Sequence, residues 1–481
     1  YLELDGNGAG YAQLARALKS AILHGQLKHG ARLPATRALA AELGLSRNTV
    51  LTAYEMLCAE QMASATAGSG TFVSAAVAPG TATTAQANVP AQTRYAARLR
   101  RLPPLPLRNS SPKLRFDLQY GEPLVDPPLA TAWRRELARA ATRSDWRYPS
   151  SSGSRALREA ICEYLARRRG VVCSTEHVVV VGGAQQAVSL LARVLLDEGD
   201  SVAVEDPGYA LALQALQAHG ARLIPVPVDA QGLRVEALPT AATGAVRSVH
   251  VTPSHQFPSG AVMSLERRLA LLAYAAQRRC WIVEDDYDGE FRYDAHSIPA
   301  LRSLDVNRRV IYIGSFSKVL FPGLRLGYVV CPEGLRDDLV AAKLLDDVAC
   351  GSVEQAALAE LMRSGGFDRH LRRAGLELRR RRAALLEALS RYCAGHVTVH
   401  DSRAGMHVVG WLSGWSQQQL QALIAHAGQQ GLGLHPIGPH YRRGPAPAGL
   451  LLGYAGLSAK QLRAAAALLG ECLDRVIAGA A

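Results

Sequence analysis

The sequence predicts an α/β protein in two parts. A helical unit of about 75 residues ends in a hairpin, and a large domain built on a mostly parallel sheet follows. Three observations predict this. Short stretches of helical apolar spacing, each bounded by Gly or Ser, fill the first sixty or so residues. From residue 116 onward, short β-rich runs alternate with amphipathic helical stretches, as strand–helix units do around a parallel sheet. Between them, residues 75–115 are rich in Ala, Pro, Thr and Gln without sustained periodicity, which is linker composition.

Length and composition bound the possibilities. A chain of 481 residues has room for two or more domains and a large core. Its 48% hydrophobic content excludes a disordered protein. No run reaches about 18 apolar residues, so no membrane-spanning helix is expected. No charged-then-apolar signal segment opens the sequence. The eight cysteines are scattered, with no Cys-x-x-Cys, which fits reduced thiols in a cytoplasmic protein better than disulfides or zinc. The net charge of +13 points to an anionic partner.

In the first unit, apolar positions 14, 18 and 22 with 15 and 21 predict a helix over 11–22, broken by Gly25 and Gly30. Thr36 is expected to cap a short helix, Arg37 to Leu43, which Gly44 stops. Ser46 caps the next, Arg47 to Leu57, with Val50, Tyr54 and Leu57 on one face. Two short helices joined by a Gly turn make a helix-turn-helix, and the second would enter a major groove with Arg47, Asn48 and Thr49 leading. Gly68-Ser-Gly-Thr-Phe-Val73 then suits a β-wing. An ordinary three-helix bundle with a solvated polar cluster is the bland alternative.

The segments Leu33-Pro-Ala-Thr-Arg-Ala-Leu-Ala, Leu45-Ser-Arg-Asn-Thr-Val, Ala53-Tyr-Glu and Gly68-Ser-Gly-Thr-Phe-Val resemble the GntR-type winged helix-turn-helix domain. The likeness covers residues 11–74. It implies DNA contacts by Arg37, Ser46, Arg47, Asn48, Thr49 and Gly70. The linker holds Arg94, Arg98, Arg100, Arg101, Arg108, Lys113 and Arg115 and no acidic residue. It is either a solvated tether or an arm lying on DNA phosphates.

In the large part, strands are predicted at 177–181, 201–204, 222–225, 248–251, 281–283, 309–313 and 327–330. Those at 396–400 and 406–411 open a smaller C-terminal lobe. After the strand at 309–313 come Ser315, Ser317 and Lys318, a Pro322-Gly323 turn and Arg325. Two hydroxyls, an amine and a guanidinium thus converge at a strand end, where open α/β sheets bind ligands. Pyridoxal 5′-phosphate (PLP) needs such a set. Its aldehyde takes a lysine amine as a Schiff base, and its phosphate takes hydroxyl and Arg donors. Gly182-Gly183 leads into a helix whose first N–H groups, at Ala184 and Gln185, would face an anion. Tyr209 follows a Pro-Gly turn and can stack on a planar ring. Asp285 and Tyr287 lie two apart at a strand end and so share a face. A carboxylate there holds a pyridine nitrogen protonated, and a phenol bonds the ring oxygen. Acidic strand ends also bind metals, but no His cluster in the sequence supports one, and no metal is expected.

Tyr148-Pro-Ser-Ser-Ser-Gly153, Gly183-Ala-Gln-Gln, Glu205-Asp-Pro-Gly-Tyr, Thr252-Pro-Ser-His-Gln-Phe-Pro-Ser-Gly260, Glu284-Asp-Asp-Tyr-Asp and Ser315-Phe-Ser-Lys318 together resemble the aspartate-aminotransferase-like, fold-type-I PLP domain over residues 116–475. The resemblance implies Lys318 as the Schiff-base lysine, Asp285 on the pyridine nitrogen, Tyr287 on the ring oxygen and Tyr209 on the ring. It places Ala184, Gln185, Ser315, Ser317 and Arg325 at the phosphate, joined by Tyr148 of a second subunit, and so implies a homodimer.

The whole arrangement, 1–74, 75–115 and 116–481, is similar to MocR/GabR-type transcriptional regulators. That implies operator DNA, PLP, and an amine, amino acid or PLP itself as effector. Two departures stand out. Phe257 replaces the transaminase Asn that meets the ring oxygen, leaving His255 or Gln256 as substitutes. Leu451 stands where transaminases carry an Arg for the substrate carboxylate, with Arg442 and Arg443 as candidate replacements against simple solvation. A PLP-sensing regulator is therefore expected. The alternatives are a working aminotransferase with an attached DNA-binding domain and, behind it, a DNA-binding protein whose PLP fold is a scaffold.

Overall fold

The computed structural model describes residues 3–74, 93–103, 114–143, 147–242, 244–293, 299–400 and 404–480. The chain divides into two compact units, Tyr1–Gln92 and Thr93–Ala481. Of the expected linker, residues 75–92 and 104–113 lie outside the described residues.

The first unit holds helices α1 (Gly10–Leu23), α2 (Thr36–Leu43) and α3 (Arg47–Ala59) and a hairpin of β1 (Ala63–Thr66) and β2 (Gly70–Val73). Leu14, Leu18 and Ile22 of α1 and Val50, Tyr54 and Leu57 of α3 pack into one core with Leu39 of α2. Each aliphatic side chain so buried contributes about 1.5–3 kcal/mol. Ser46 caps α3, its hydroxyl accepting from the Thr49 N–H at 3.1 Å. Thr36 departs from expectation. It is the first residue of α2, after an Ala35 cap with no side-chain bond. Tertiary contact fixes the entry to this helix instead, the Tyr54 hydroxyl donating to the Pro34 carbonyl at 2.8 Å. The hairpin gains a third partner, since Arg32 bridges Phe72.

The second unit begins earlier than composition suggests. Thr93 caps α4 (Arg94–Arg101), accepting from the Ala96 N–H at 3.2 Å. Helix α4 lies against the large domain. Arg98 donates to the Ala218 carbonyl at 2.8 Å and pairs with Glu198 at 3.0 Å. Gln214 donates to the Pro103 carbonyl at 2.9 Å, and Tyr95 meets His219 with ring centroids 5.5 Å apart. The helix buries no residue fully, and its only large apolar positions, Tyr95 and Leu99, leave a short signal inside an Arg-rich stretch.

Strand β3 (Phe116–Asp117) follows, and then the main sheet. Its strands are β4 (Val178–Val181), β5 (Ser201–Asp206), β6 (Arg222–Asp229), β7 (Gly232–Leu233), β8 (Ser248–Val251), β9 (Trp281–Asp286), β10 (Val310–Ser315) and β11 (Gly327–Val330), in the order β4-β11-β10-β9-β8-β5-β6-β7. The centre from β10 to β6 is parallel. Strand β11 runs antiparallel to both of its neighbours, and β7 is antiparallel to β6, so the sheet is mixed. Helices cover both faces, which is why these strands are apolar runs and not alternations. Val179, Val181, Ile311, Ile313 and Val329 face α7 (Ala184–Leu195), α8 (Ala210–Ala218) and α10 (Glu333–Asp347). Val178, Val180, Tyr312, Tyr328 and Val330 face the side that holds α5 (Pro127–Arg143), α6 (Arg155–Arg169), α11 (Ser352–Arg363) and α12 (Gly366–Tyr392). Helix α9 (Leu265–Arg278) covers β8 and β9.

The C-terminal lobe is a four-stranded sheet of β12 (Thr398–Val399), β13 (His407–Trp411), β16 (Gly449–Gly453) and β15 (His435–Pro436), with α13 (Gln417–Gln429) and α14 (Ala459–Ala480). The strand expected over 396–400 is cut to two residues. Strand β14 (Leu432–Gly433) of this lobe pairs in parallel with β3.

Candidate cofactor cavity and DNA-facing surface

The cavity forms where β4, β5, β9 and β10 end. Beyond β10, the Ser317 N–H donates to the Ser315 hydroxyl at 3.2 Å, and the Lys318 amine donates to the Gly121 carbonyl at 2.8 Å. Arg325 donates to the Gly182 carbonyl at 2.6 Å. Gly183 caps α7 with a φ of 104°, and a Cβ there would press on the Arg325 guanidinium at 3.3 Å. Glycine therefore lets the cation stand beside the open N–H groups at the start of α7. Tyr209 is the cap residue of α8, its ring edge-on to Phe257 with centroids 5.7 Å apart.

Beyond β9, Asp285 is buried and its Oδ1 has no hydrogen-bond partner. Burial, with Asp286, Glu205 and Asp288 nearby, pushes its carboxyl up to about 7. His250 lies 4.0 Å from it but is held neutral, burial lowering the imidazole to about 4. Burial also raises the Tyr287 phenol well above its ordinary value.

A cavity of about 180 Å³ brings together Lys318, Asp285, Tyr287, Tyr209, Ser315, Ser317, Arg325, Ala184 and Gln185. Tyr120, Gly121, Thr252, Phe257, Asp288, Pro322, Met406 and His407 complete its wall. Thr252 and Asp288 lie inside motifs legible in the sequence. Tyr120, Gly121, Met406 and His407 come from distant segments and carry no local signal. The donors fit PLP. A buried carboxylate with one unpartnered oxygen matches a pyridinium, an amine matches an aldehyde, and a helix N-terminus with hydroxyls and a guanidinium matches a phosphate.

Several expected residues sit elsewhere. Gln256 is buried, its amide donating to Glu205 at 3.1 Å and to the carbonyls of Pro207 and Phe257 at 2.8 and 2.6 Å. It holds its own loop together and leaves the cavity wall to Phe257. His255 stands one layer behind the wall, its Nδ1 2.9 Å from the Tyr287 hydroxyl and 2.9 Å from Asp288. His255, Asp288 and His407 also bring ligand-type atoms within 4.8 Å of one another, a cluster that the sequence did not suggest. Leu451 is buried with Phe257, Val409 and Ile437 in an apolar cluster. The backbone N–H groups of Arg442 and Arg443 donate to the Asp206 carboxylate, and the Arg442 guanidinium turns to Gln217 of α8. Neither arginine is among the residues lining the cavity. Tyr148 is 89% exposed and is also absent from that wall.

In the first unit, Arg37, Ser46, Arg47 and Asn48 are exposed, and Thr49 is half-buried beside the cap. Gly70 opens the wing strand at a φ of 114°, with the Arg32 guanidinium against it. Arg32 thus joins the basic edge of this surface, which its place in a loop hid from sequence reading.

Among the described residues, no helix is long and apolar enough to cross a membrane. The family model described as "Aminotransferase class I and II" matches residues 115–466, and "Bacterial regulatory proteins, gntR family" matches residues 10–73. The probable rhizopine catabolism regulatory protein MocR of Rhizobium meliloti is 37% identical over 467 residues, 96% of this chain and 93% of that one. The pyridoxine biosynthesis transcriptional regulator PdxR of Corynebacterium glutamicum is 32% identical over 377 residues, 78% of each chain. The α-aminoadipate aminotransferase LysN of Thermus thermophilus, solved with N-(5′-phosphopyridoxyl)-L-leucine, matches with a TM-score of 0.71 at 29% identity, covering 80% of this chain and 98% of that one.

Proposed function

This chain belongs to the MocR-type family of GntR helix-turn-helix transcriptional regulators that carry a class I and II aminotransferase domain, and on that footing we propose that it senses PLP or an amine through the Lys318 cavity and reports the outcome at an operator. Its first unit binds DNA with Arg47, Asn48 and Thr49 toward the bases and Arg37, Ser46 and Gly70 toward phosphates. Its large unit binds PLP. When bound, PLP supplies an aldehyde that takes a primary amine and a ring that withdraws electrons. The protein's part is to hold and exclude. Asp285 offers an unpartnered carboxylate to a ring cation. Tyr209 offers a flat face. Ser315, Ser317, Arg325 and the start of α7 hold the phosphate. Lys318 offers the amine.

One observation carries the regulator reading over the enzyme reading. The position that clamps a substrate carboxylate in transaminases is Leu451, buried in an apolar cluster, and neither Arg442 nor Arg443 reaches the cavity. Without such a clamp a substrate loses a charge-assisted pair and the orientation it gives. A homodimer, with Tyr148 reaching a second subunit's phosphate site, and a cytoplasmic location complete the proposal.

The test compares operator binding by wild type and Lys318→Ala, each with and without PLP and candidate amines. Wild-type affinity, footprint or bend should change with ligand, and operator DNA should change ligand affinity by the same factor. Lys318→Ala should lose the difference for any effector that acts through the amine. Ligand-independent binding by wild type would leave the large unit a scaffold.

A further inference from the structure

We propose that His255 and Asp288 are positioning residues that turn the Tyr287 hydroxyl into the cavity as a hydrogen-bond donor to the ring oxygen of bound PLP. The proposal rests on the cofactor assignment above and assigns a regulatory-grade detail of that same site.

One ring nitrogen has two claimants. His255 Nδ1 lies 2.9 Å from the Tyr287 hydroxyl, and 2.9 and 3.2 Å from the two Asp288 oxygens. His255 Nε2 is buried with no partner. A neutral imidazole carries one N–H. If that hydrogen sat on Nε2, a buried donor would go unpaired and the Nδ1 lone pair would face a carboxylate. With the hydrogen on Nδ1, the N–H serves both the carboxylate and the phenol oxygen, and the group left over is a lone pair. Orphaned buried donors are the rarer and costlier case, so the geometry points to the Nδ1–H form. The phenol oxygen then accepts from His255, and its own hydrogen must point elsewhere.

The cavity is where it can go. Tyr287 lines the wall beside Phe257, which replaces the amide that transaminases offer to the ring oxygen and brings no donor of its own. The His255 ring cannot swing away. A Cβ at Gly405, at a φ of 76°, would overlap it, and His407 packs against it with ring centroids 5.1 Å apart. The Gly405 carbonyl is itself fixed by the Tyr293 hydroxyl at 2.7 Å and by Tyr454. Asp288, Asp285, Glu205 and Asp286 all act on the phenol, and Lys318 acts on Asp288. Burial first, and then this acidic setting, keeps the phenol protonated and so able to donate.

A donor on the ring oxygen favours its anionic form and lowers the proton affinity of the chromophore that Lys318 makes with PLP. The test is the pH midpoint of its visible absorbance in the full-length protein, with mass after borohydride reduction showing occupancy at Lys318. Tyr287→Phe should raise the midpoint by about one pH unit, the scale of one hydrogen bond to a charged group. His255→Leu should raise it in the same sense. His255→Asn, whose amide N–H can stand near the Nδ1 position, should restore most of the shift. In the Tyr287→Phe background, His255→Leu should add nothing, since it acts through the phenol. A loaded His255→Leu protein with the wild-type midpoint, or an undiminished shift in the Tyr287→Phe background, overturns the proposal. So does a wild-type midpoint that moves with added zinc or chelator, because the His255–Asp288–His407 cluster would then hold a cation. A wild type that takes up no PLP sinks the cofactor assignment first, and this proposal with it.

Discussion

Lys318, Asp285 and Leu451 decide what the cavity can do. Lys318 lines the cavity with its amine on the Gly121 carbonyl. Lys318→Ala should abolish the visible absorbance of the PLP-loaded protein and the mass increment trapped by borohydride, while PLP can still bind without the covalent link. Asp285 has no partner for Oδ1, and on the proposed reading a ring cation would supply one. Asp285→Asn removes a charge-assisted bond of about 1.5–3 kcal/mol. PLP affinity should fall roughly 10- to 100-fold, measured by equilibrium dialysis. Leu451 predicts the absence of ordinary turnover. A coupled assay with common amino acids should show far less than roughly one turnover per second, and a rate at or above that would restore the enzyme reading.

At the scale of elements, α8 links the cavity to the segment that leads from the DNA-binding unit. Tyr209 caps its first turn on the cavity side. Its Leu211 carbonyl accepts from Gln185 at 3.1 Å, its Gln214 holds the Pro103 carbonyl, and its last carbonyl accepts from Arg98. Arg98→Ala should free α4, seen as faster amide exchange over 94–101, and should reduce the ligand-dependent change in operator affinity without altering PLP uptake. Unchanged exchange would show that the other contacts suffice. Arg47→Ala and Asn48→Ala should each weaken specific DNA binding by about 1–3 kcal/mol, if each reads a base through two bonds. The same elements show what the sequence could reveal. Strands β4, β8 and β11 are legible as apolar runs because helices cover both faces, and Asp285 with Tyr287 is legible because alternation puts them on one side. Helix α4 is not, since it is two turns long with only Tyr95 and Leu99 as large apolar positions among its arginines, and polar anchors and a ring contact hold it. Strands β3 and β14, two residues each, leave no period to detect. His255 is legible as a residue of note, but its role is not, because only the packing of Gly405 and His407 places it behind Tyr287.

At the scale of the molecule, buried titratable groups set a pH dependence. Asp285, Glu205, Glu284 and Glu290 are each pushed up to about 7, with burial as the leading cause. The folded apo protein therefore holds protons that the unfolded chain, titrating near 4, has released. Stability must fall as pH rises through this window. His250, His407 and His440 act oppositely, burial lowering them to about 4, 3 and 4 from 6.5. Their contribution is complete above 6.5 and is lost as pH falls below it. The two sets oppose one another in mild acid, and only the carboxylates still change between about pH 6.5 and 8. The apo protein's Tm should therefore decline over that interval, and PLP, by supplying a cation to Asp285, should flatten the decline. A Tm that rises from pH 6.5 to 8 without PLP would contradict these burial effects.

The pairing of β3 with β14 stitches the beginning of the large unit to its end. Phe116 and Asp117 lie beside Leu432 and Gly433, and α4, earlier in the chain, is fastened to α8. The natural place to divide this protein is therefore just ahead of Thr93, well upstream of where the low-complexity segment gives way to regular strands and helices. A fragment starting at residue 93 keeps the stitch and its fastening intact. One starting at residue 118 exposes an unpaired strand edge on the C-terminal lobe and an uncovered face on α8, and should be the more prone to aggregate of the two.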